Sequence, residues 1–478
     1  MKRNFAIEEL SCIPSLPELF PSLANKLYFS FLDSGVGIYK NELGRYSFLA
    51  FDPFLIVQSK GKSIRIIKKD KLEAKRENPF DILRSLLNTF HIGPTPTDLP
   101  PFLGGGIGYL SYDLCHFIEK VPAVCRDDIN IPELFVAFYD KVLIIDHILN
   151  KSFAAGIRLP GETVGVEKKL EMFRQTLLKN FDPHPVPTPS LIYKKAFPPE
   201  SLPITSNFTK PDYIKAVKKA KQYIAAGDIY QVNLSQRFET NLNIPSFRLY
   251  QILRKINPAP FAAYLNFGKV VVASSSPERF LKLIDRKVQT RPIKGTRPRG
   301  KDKDEDEKLA NELLKSEKDR AELIMIVDLE RNDLGKVCRY GSVKVKELVK
   351  LEAYPTVFHT VSTIEGELHP GKDRIDLLKA TFPGGSITGA PKVRAMEIID
   401  ELEPTKRSIY TGALGYFGFN GTMDLNIVIR TFLMRKNKIY FQVGGGIVAD
   451  SEPEKEYQET LDKAKALIQS LHEEVDGI

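Results

Sequence analysis

Between residues 45 and 146 the apolar positions come in short runs, Arg45–Phe51, Leu55–Gln58, Ser63–Ile67 and Lys141–Asp146, rich in β-branched or aromatic side chains and bounded by turn residues. That pattern predicts antiparallel strands. The run Gly104-Gly105-Gly106-Ile107-Gly108, followed by Tyr109 and Tyr112, lacks a Gly-x-Gly-x-x-Gly spacing and a helix behind it, so it reads as a tightly packed strand. From Thr209 the period changes. Tyr213, Val217, Ala220 and Ile224 fall on one face, Thr209 is a candidate N-cap with Asp212 three residues on, and Gly227 ends the segment, which predicts a helix over Thr209–Ala226. Strands are expected over Ile229–Glu239 and Lys269–Ser274, and helix over Lys308–Arg331 in one or two pieces. Ser408–Phe419, Leu425–Met434 and Lys438–Val443 again read as strands before a last helix, with Ser451 as N-cap, Pro453 in the first turn and Glu454 at the capping-box position. Strands and helices in runs without strict alternation predict an α+β fold.

One segment interrupts this order. Pro183, Pro185, Pro187, Pro189, Pro198, Pro199 and Pro203 exclude a helix or central strand and predict a linker or crossover over 183–204, between an N-terminal region 1–182 and a second region 205–478. At 478 residues, 42% hydrophobic and 27% charged, the chain is ordinary globular protein and not disordered. The net charge of +9 is spread among acids, as in Lys68 to Lys75, which describes a mixed surface and not a nucleic-acid stripe. Cys12, Cys115, Cys125 and Cys338 form no Cys-x-x-Cys pair, Glu8 and Glu9 stand where a signal peptide needs an apolar run, and no stretch reaches membrane-spanning length; a reducing, cytoplasmic protein is expected.

Three constellations could carry chemistry. Asp319 and Glu322 lie three apart beside the apolar run Leu323–Val327, while Glu452, Glu456, Glu459 and Lys463 recur along one face of the last helix. Alone, the second set describes a solvated stripe; carboxylates from two helices are also what Mg²⁺ needs when substrate and water complete its shell. Arg291–Gly300 reads as a loop in which Lys294, between Ile293 and Gly295, could be desolvated enough to act as a nucleophile. Phe382–Lys392, with two glycine clusters, Ser386 and Lys392, could present backbone N–H groups to an anion, and Gly444-Gly445-Gly446 allows close backbone approach.

Taken in order, the motifs around Gln231 (Ile-Tyr-Gln-Val-Asn-Leu-Ser), Glu278 (Ser-Pro-Glu-Arg-Phe), Lys294 (Pro-Ile-Lys-Gly-Thr), Glu322 (Ala-Glu-Leu-Ile-Met-Ile-Val-Asp-Leu-Glu-Arg-Asn-Asp), Lys392 (Gly-Ala-Pro-Lys), Arg430 (Ile-Val-Ile-Arg-Thr) and Gly444–Pro453, then Glu459–Lys463, resemble the chorismate-utilising enzymes over about residues 205 to 470. Phe31–Ser34 and Gly44–Phe48 carry the likeness more loosely into the N-terminal region. The resemblance implies a large antiparallel-sheet sandwich flanked by helices. Members that form 4-amino-4-deoxychorismate have lysine where this chain has Lys294, whereas anthranilate and isochorismate synthases have alanine there. Anthranilate enzymes usually show threonine at Ser386, and isochorismate enzymes use a lysine base at Gln231. The resemblance therefore implies aminodeoxychorismate formation, with anthranilate synthesis and a non-catalytic chorismate-binding homologue as rivals.

By the same resemblance Lys294 and Glu278 are catalytic, and Glu322 and Glu459 hold Mg²⁺ with Asp319 and Glu456 behind them. Arg430, Tyr410, Lys463, Gly445, Gly446, Ser386 and His359 bind substrate, and Lys392 adds positive charge for it. Ser34 marks a regulatory pocket that binds tryptophan in anthranilate synthases. The chain shows no glutaminase segment, so a separate glutamine amidotransferase subunit and a separate aminodeoxychorismate lyase are expected as partners.

Overall fold

The computed structural model describes residues 4–10, 21–35, 42–69, 71–180, 203–355 and 357–472. Cys12 and residues 183–202 of the proline-rich stretch lie outside this set. Among the described residues the strands form two large antiparallel sheets. The first runs from Phe5–Leu10 through Lys151–Ile157, Lys141–Asp146, Tyr46–Ala50 and Phe29–Asp33 to Phe261–Asn266, Val271–Ser276, Thr431–Arg435, Lys438–Ile447 and Gln231–Asn241. The second runs from Ile293–Pro298 through Val357–Glu367, Lys287–Arg291, Arg279–Ile284, Met423–Ile427 and Ala413–Gly418 to Gly105–Leu110, Leu134–Tyr139, Leu55–Lys60, Ser63–Lys68 and Lys71–Arg76. Both halves of the chain contribute to both sheets, so neither half has a sheet of its own.

Phe48, Ile144, Leu265 and Leu433 of the first sheet pack on Ile107, Tyr109, Phe135 and Tyr416 of the second in one shared core. Outside this layer, Val166–Lys179, Ser246–Ile256 and Pro453–His472 cover the first sheet, and Pro79–Thr89, Glu317–Gly335 and Arg374–Thr381 cover the second. Gly105–Leu110 is a buried strand between Leu134–Tyr139 and Ala413–Gly418, as its glycines and tyrosines predict.

The helix at Lys210–Ala225 is capped by Thr209, whose side chain accepts the Asp212 N–H, and the expected Lys308–Arg331 helix is two, Lys303–Lys315 and Glu317–Gly335, with Ser316 capping the second. Three expectations are corrected. Leu425–Met434 is two strands, Met423–Ile427 and Thr431–Arg435, which belong to different sheets because Arg430, at φ +51°, turns the chain between them. The segment around Lys294 is the strand Ile293–Pro298, paired with Val357–Glu367 and bulged between Lys294 and Thr296, where Gly295 takes φ +69°; cross-strand partners compensate for its poor strand composition. Ser451 does not cap the last helix. That helix starts at Pro453, and the Ser451 hydroxyl accepts the Val448 N–H.

Candidate active site

The site lies where the chain twice crosses between the sheets. One corner joins Val271–Ser276 to Arg279–Ile284 and carries Glu278; the other joins Met423–Ile427 to Thr431–Arg435 and carries Arg430. The corners are hydrogen-bonded to each other, Ser275 N to Arg430 O at 3.1 Å and Ile427 N to Glu278 O at 3.0 Å. The backbones of the two corners are thereby tied to each other.

Glu278 is buried. Its carboxyl is pushed up to about 6 by loss of solvent, against the opposing pull of the Ser386 hydroxyl, Lys294 and the Ile293 N–H, which lies 3.4 Å away. Lys294 comes from the bulged strand and donates to Ser386 O at 3.1 Å. No carboxylate lies within salt-bridge distance of it among the described residues, and burial pushes its ammonium below the ordinary lysine range although Glu322, Glu278 and Glu459 pull the other way. The Gly384–Gly385–Ser386 turn offers the lysine a carbonyl. The expectation for Lys392 is corrected: its ammonium is held by Asp333 and by the carbonyls of Thr381 at 2.8 Å and Pro383 at 2.9 Å, so it fastens the loop and does not face a ligand.

The carboxylates gather opposite Lys294. Glu322, from Glu317–Gly335, is raised by burial and by repulsion from Asp319 and Glu459. Burial would also raise Glu459, but Lys463, 2.6 Å away, outweighs it and holds the carboxyl below its usual range. Lys463 also donates to Gly444 O at 2.9 Å. Glu456 is buried and raised, and its Oε2 has no hydrogen-bond partner among the described residues. Asp319 stands behind Glu322 but is also engaged by Arg297 at 3.2 Å, and Glu452 pairs at the surface with Lys455, away from this face.

Gly444, Gly445 and Gly446 continue the strand Lys438–Ile447 along Gln231–Asn241. A Cβ at Gly445 would lie 3.2 Å from Glu456 Oε2 and 3.3 Å from Glu459 Oε1, and one at Gly446 would lie 2.0 Å from Gln231 Nε2. The missing side chains are the space these polar groups occupy. The site continues past Lys294: His359, opposite Thr296 in register, is 2.9 Å from the Thr296 hydroxyl and is pushed down to about 4 by burial and by the Arg430 charge. Arg430 and Tyr410 are within electrostatic reach of each other, and among the described residues the Arg430 side chain has no ion-pair partner. A half-buried guanidinium without an ion-pair partner among the described residues, beside a neutral imidazole, has the chemistry to receive a carboxylate.

Ser34 lies elsewhere, in a separate cavity of about 280 Å³ between the sheets, lined by Asp33, Tyr46, Phe261, Arg279, Tyr416 and Asp424 among others. Its hydroxyl donates to Tyr46 O, and Asp33 accepts from Tyr250 at 2.8 Å and from Arg254. Sequence reasoning named the site's charged groups but missed Arg407, Glu403 and Glu330, which sit buried behind them. The Glu-x-x-x-Arg spacing of 403 and 407 was the available signal for the first two.

Residues 41–469 match the family model of the chorismate binding enzymes, and the chain belongs to that family. It is 40% identical over 428 residues to aminodeoxychorismate synthase component 1 of Bacillus subtilis, covering 90% of this chain and 89% of that one. It is 42% identical over 436 residues to anthranilate synthase component 1 of Acetivibrio thermocellus, covering 90% and 87%. The solved structure of anthranilate synthase component I from Streptococcus pneumoniae superposes with a TM-score of 0.76 at 31% identity, covering 89% of this chain and 92% of that one. Overall identity therefore makes this a chorismate-utilising enzyme and does not separate the two synthase reactions.

Proposed function

We propose that the protein is an aminodeoxychorismate synthase component 1, which converts chorismate and ammonia to 4-amino-4-deoxychorismate. The observation that carries this reading is Lys294: an amine in the site with no salt-bridge partner among the described residues, biased by burial toward its neutral form, beside a carboxyl biased toward its protonated form. Neutral Lys294 attacks C2 of chorismate while the ring double bond shifts and the C4–O bond breaks. Glu278 gives its proton to the departing hydroxyl, which leaves as water. Ammonia then bonds to C4, the double bond shifts back, and the C2–N bond to Lys294 breaks, regenerating the lysine. Arg430, Tyr410, Lys463, His359, Ser386 and the Gly445-Gly446 backbone hold the carboxylate and enolpyruvyl groups. Anthranilate synthesis needs no such amine.

The carboxylates fit Mg²⁺. Glu322 and Glu459 would hold it, with Asp319 and Glu456 behind, and the unpartnered Glu456 Oε2 and the close approach of the Glu456 and Glu459 oxygens over Gly445 support this. Such an ion would take its remaining ligands from substrate and water. When bound, the ion would supply positive charge for the ring carboxylate. Ammonia comes from a glutamine amidotransferase subunit, and a separate lyase takes the product on to p-aminobenzoate.

The test incubates the purified chain with chorismate, Mg²⁺ and ammonium, then adds aminodeoxychorismate lyase. p-Aminobenzoate is expected; anthranilate formed without the lyase refutes the reading. With ammonium omitted, intact mass should show a chorismate-derived adduct that Lys294→Ala lacks.

A further inference from the structure

Behind the site one buried guanidinium touches residues next to three of the proposed substrate contacts. The side chains of Arg407 and Glu403 are each 1% exposed and form a two-pronged pair, Nη2 to Oε1 at 2.7 Å and Nε to Oε2 at 3.0 Å. The remaining N–H groups reach three further segments: Ile387 O at 3.0 Å, the Thr411 hydroxyl at 3.3 Å and Asn233 O at 2.7 Å. Each acceptor is next to a proposed substrate contact. Ile387 follows Ser386, Thr411 follows Tyr410, and Asn233 is the register partner of Gly446. The guanidinium also lies against the Tyr410 ring at 5.7 Å and the Tyr112 ring at 4.9 Å.

Glu403 extends the same network, accepting from the Ser235 N–H at 2.9 Å and the Ser235 hydroxyl at 2.7 Å on the strand that faces Gly444. Thr411 adds a second argument. It holds φ +59°, an outlier for a β-branched residue, and its hydroxyl donates to Tyr410 O at 2.6 Å while receiving from Arg407. Such a backbone persists only where its surroundings over-determine it. The planar five-donor fork of arginine satisfies all of these acceptors at once; a lysine ammonium, with three donors from one point, does not.

Resting on the chorismate reading, we infer that Arg407 is a positioning residue that sets the Ser386 turn, Tyr410 and the Gly446 strand relative to one another, and so sets the affinity for substrate without touching it. Glu403 holds the guanidinium in the orientation this requires.

Arg407→Lys is the test, with Glu403→Gln as a milder second variant should the first fold poorly. For Arg407→Lys the KM for chorismate should rise about tenfold or more, with a smaller loss in kcat; Glu403→Gln should move KM in the same direction. A merely structural role lowers the active fraction, so kcat and the melting midpoint fall while KM stays, and that result overturns the inference. Hydrogen exchange on the ligand-free variants reads the same question independently of chorismate. Segments 231–235, 385–389 and 408–412 should lose protection together while the distant strand Ser63–Lys68 keeps it, and uniform loss or none refutes the positioning role. If the wild type neither binds nor consumes chorismate, the functional reading fails, and the exchange result still decides whether Arg407 couples these segments.

Discussion

Glu278 and Lys294 must react in forms that oppose their mutual charge preference, the acid protonated and the amine neutral. Between the Glu278 value of about 6 and the lowered Lys294 value, each step toward acid gains protonated Glu278 and loses neutral Lys294 in equal measure. Adduct formation without ammonia should therefore be flat across that window and fall on both sides, with the acid limb near pH 6. Glu278→Gln should remove the break at pH 6 along with most of the rate, leaving a rate that climbs with pH through that point until Lys294 is neutral; a break that persists near pH 6 in the variant assigns it to another group. Glu330 illustrates the stability side of the same physics. Burial, with repulsion from Glu278 and against the Thr290 hydroxyl 2.8 Å away, raises it from 4.5 to about 8. In that window the folded protein holds a proton that the unfolded chain has released, so stability falls as pH rises from 4.5 toward 8. Glu330→Gln should stabilise the fold by about 1–3 kcal/mol at pH 7, with the difference vanishing below pH 4.5; thermal melting at two pH values checks it, and equal midpoints at both refute it.

At the scale of elements, the Gly444–Gly446 strand and the last helix face each other across the space a side chain would fill. Gly445→Ala puts a methyl at 3.2 Å from Glu456 Oε2 and 3.3 Å from Glu459 Oε1, and one of these carboxylates must shift. The Mg²⁺ concentration for half-maximal activity should rise about tenfold; an unchanged Mg²⁺ titration would remove Glu459 from the proposed metal site. The strand Phe29–Asp33 makes the opposite point about the cavity at Ser34. Asp33 is already taken by Tyr250 and Arg254, so its carboxylate is not free for the ammonium group of an amino acid. Saturating tryptophan should change chorismate turnover by less than about fivefold, below a typical allosteric coupling, and strong inhibition in initial-rate assays would contradict this.

At the scale of the whole molecule, the two sheets are continuous across the sequence. Phe29–Asp33 pairs with Phe261–Asn266, and Gly105–Leu110 pairs with Ala413–Gly418, so strands more than 200 residues apart complete each other's edges. The division at the proline-rich stretch is one of sequence and not of sheet. No described helix is long and apolar enough to cross a membrane.

Local physics made much of this legible. The helix from Thr209 and the buried Gly105–Leu110 strand follow from capping chemistry, apolar period and tight glycine-aromatic packing, all of which act within a few residues. Lys294, Glu278, Glu322 and Glu459 could be singled out as candidates because each sits in a contiguous motif. What the sequence could not decide is whatever depends on non-local partners. Lys294 lies on a strand because Val357–Glu367 pairs with it, Arg430 turns a corner because Met423–Ile427 and Thr431–Arg435 belong to different sheets, and Lys392 is spent on Asp333 while Lys294 stays unpaired. Composition determined which charges exist; burial and cross-sheet hydrogen bonding, which are properties of the assembled fold alone, determined which of them remain available for a ligand.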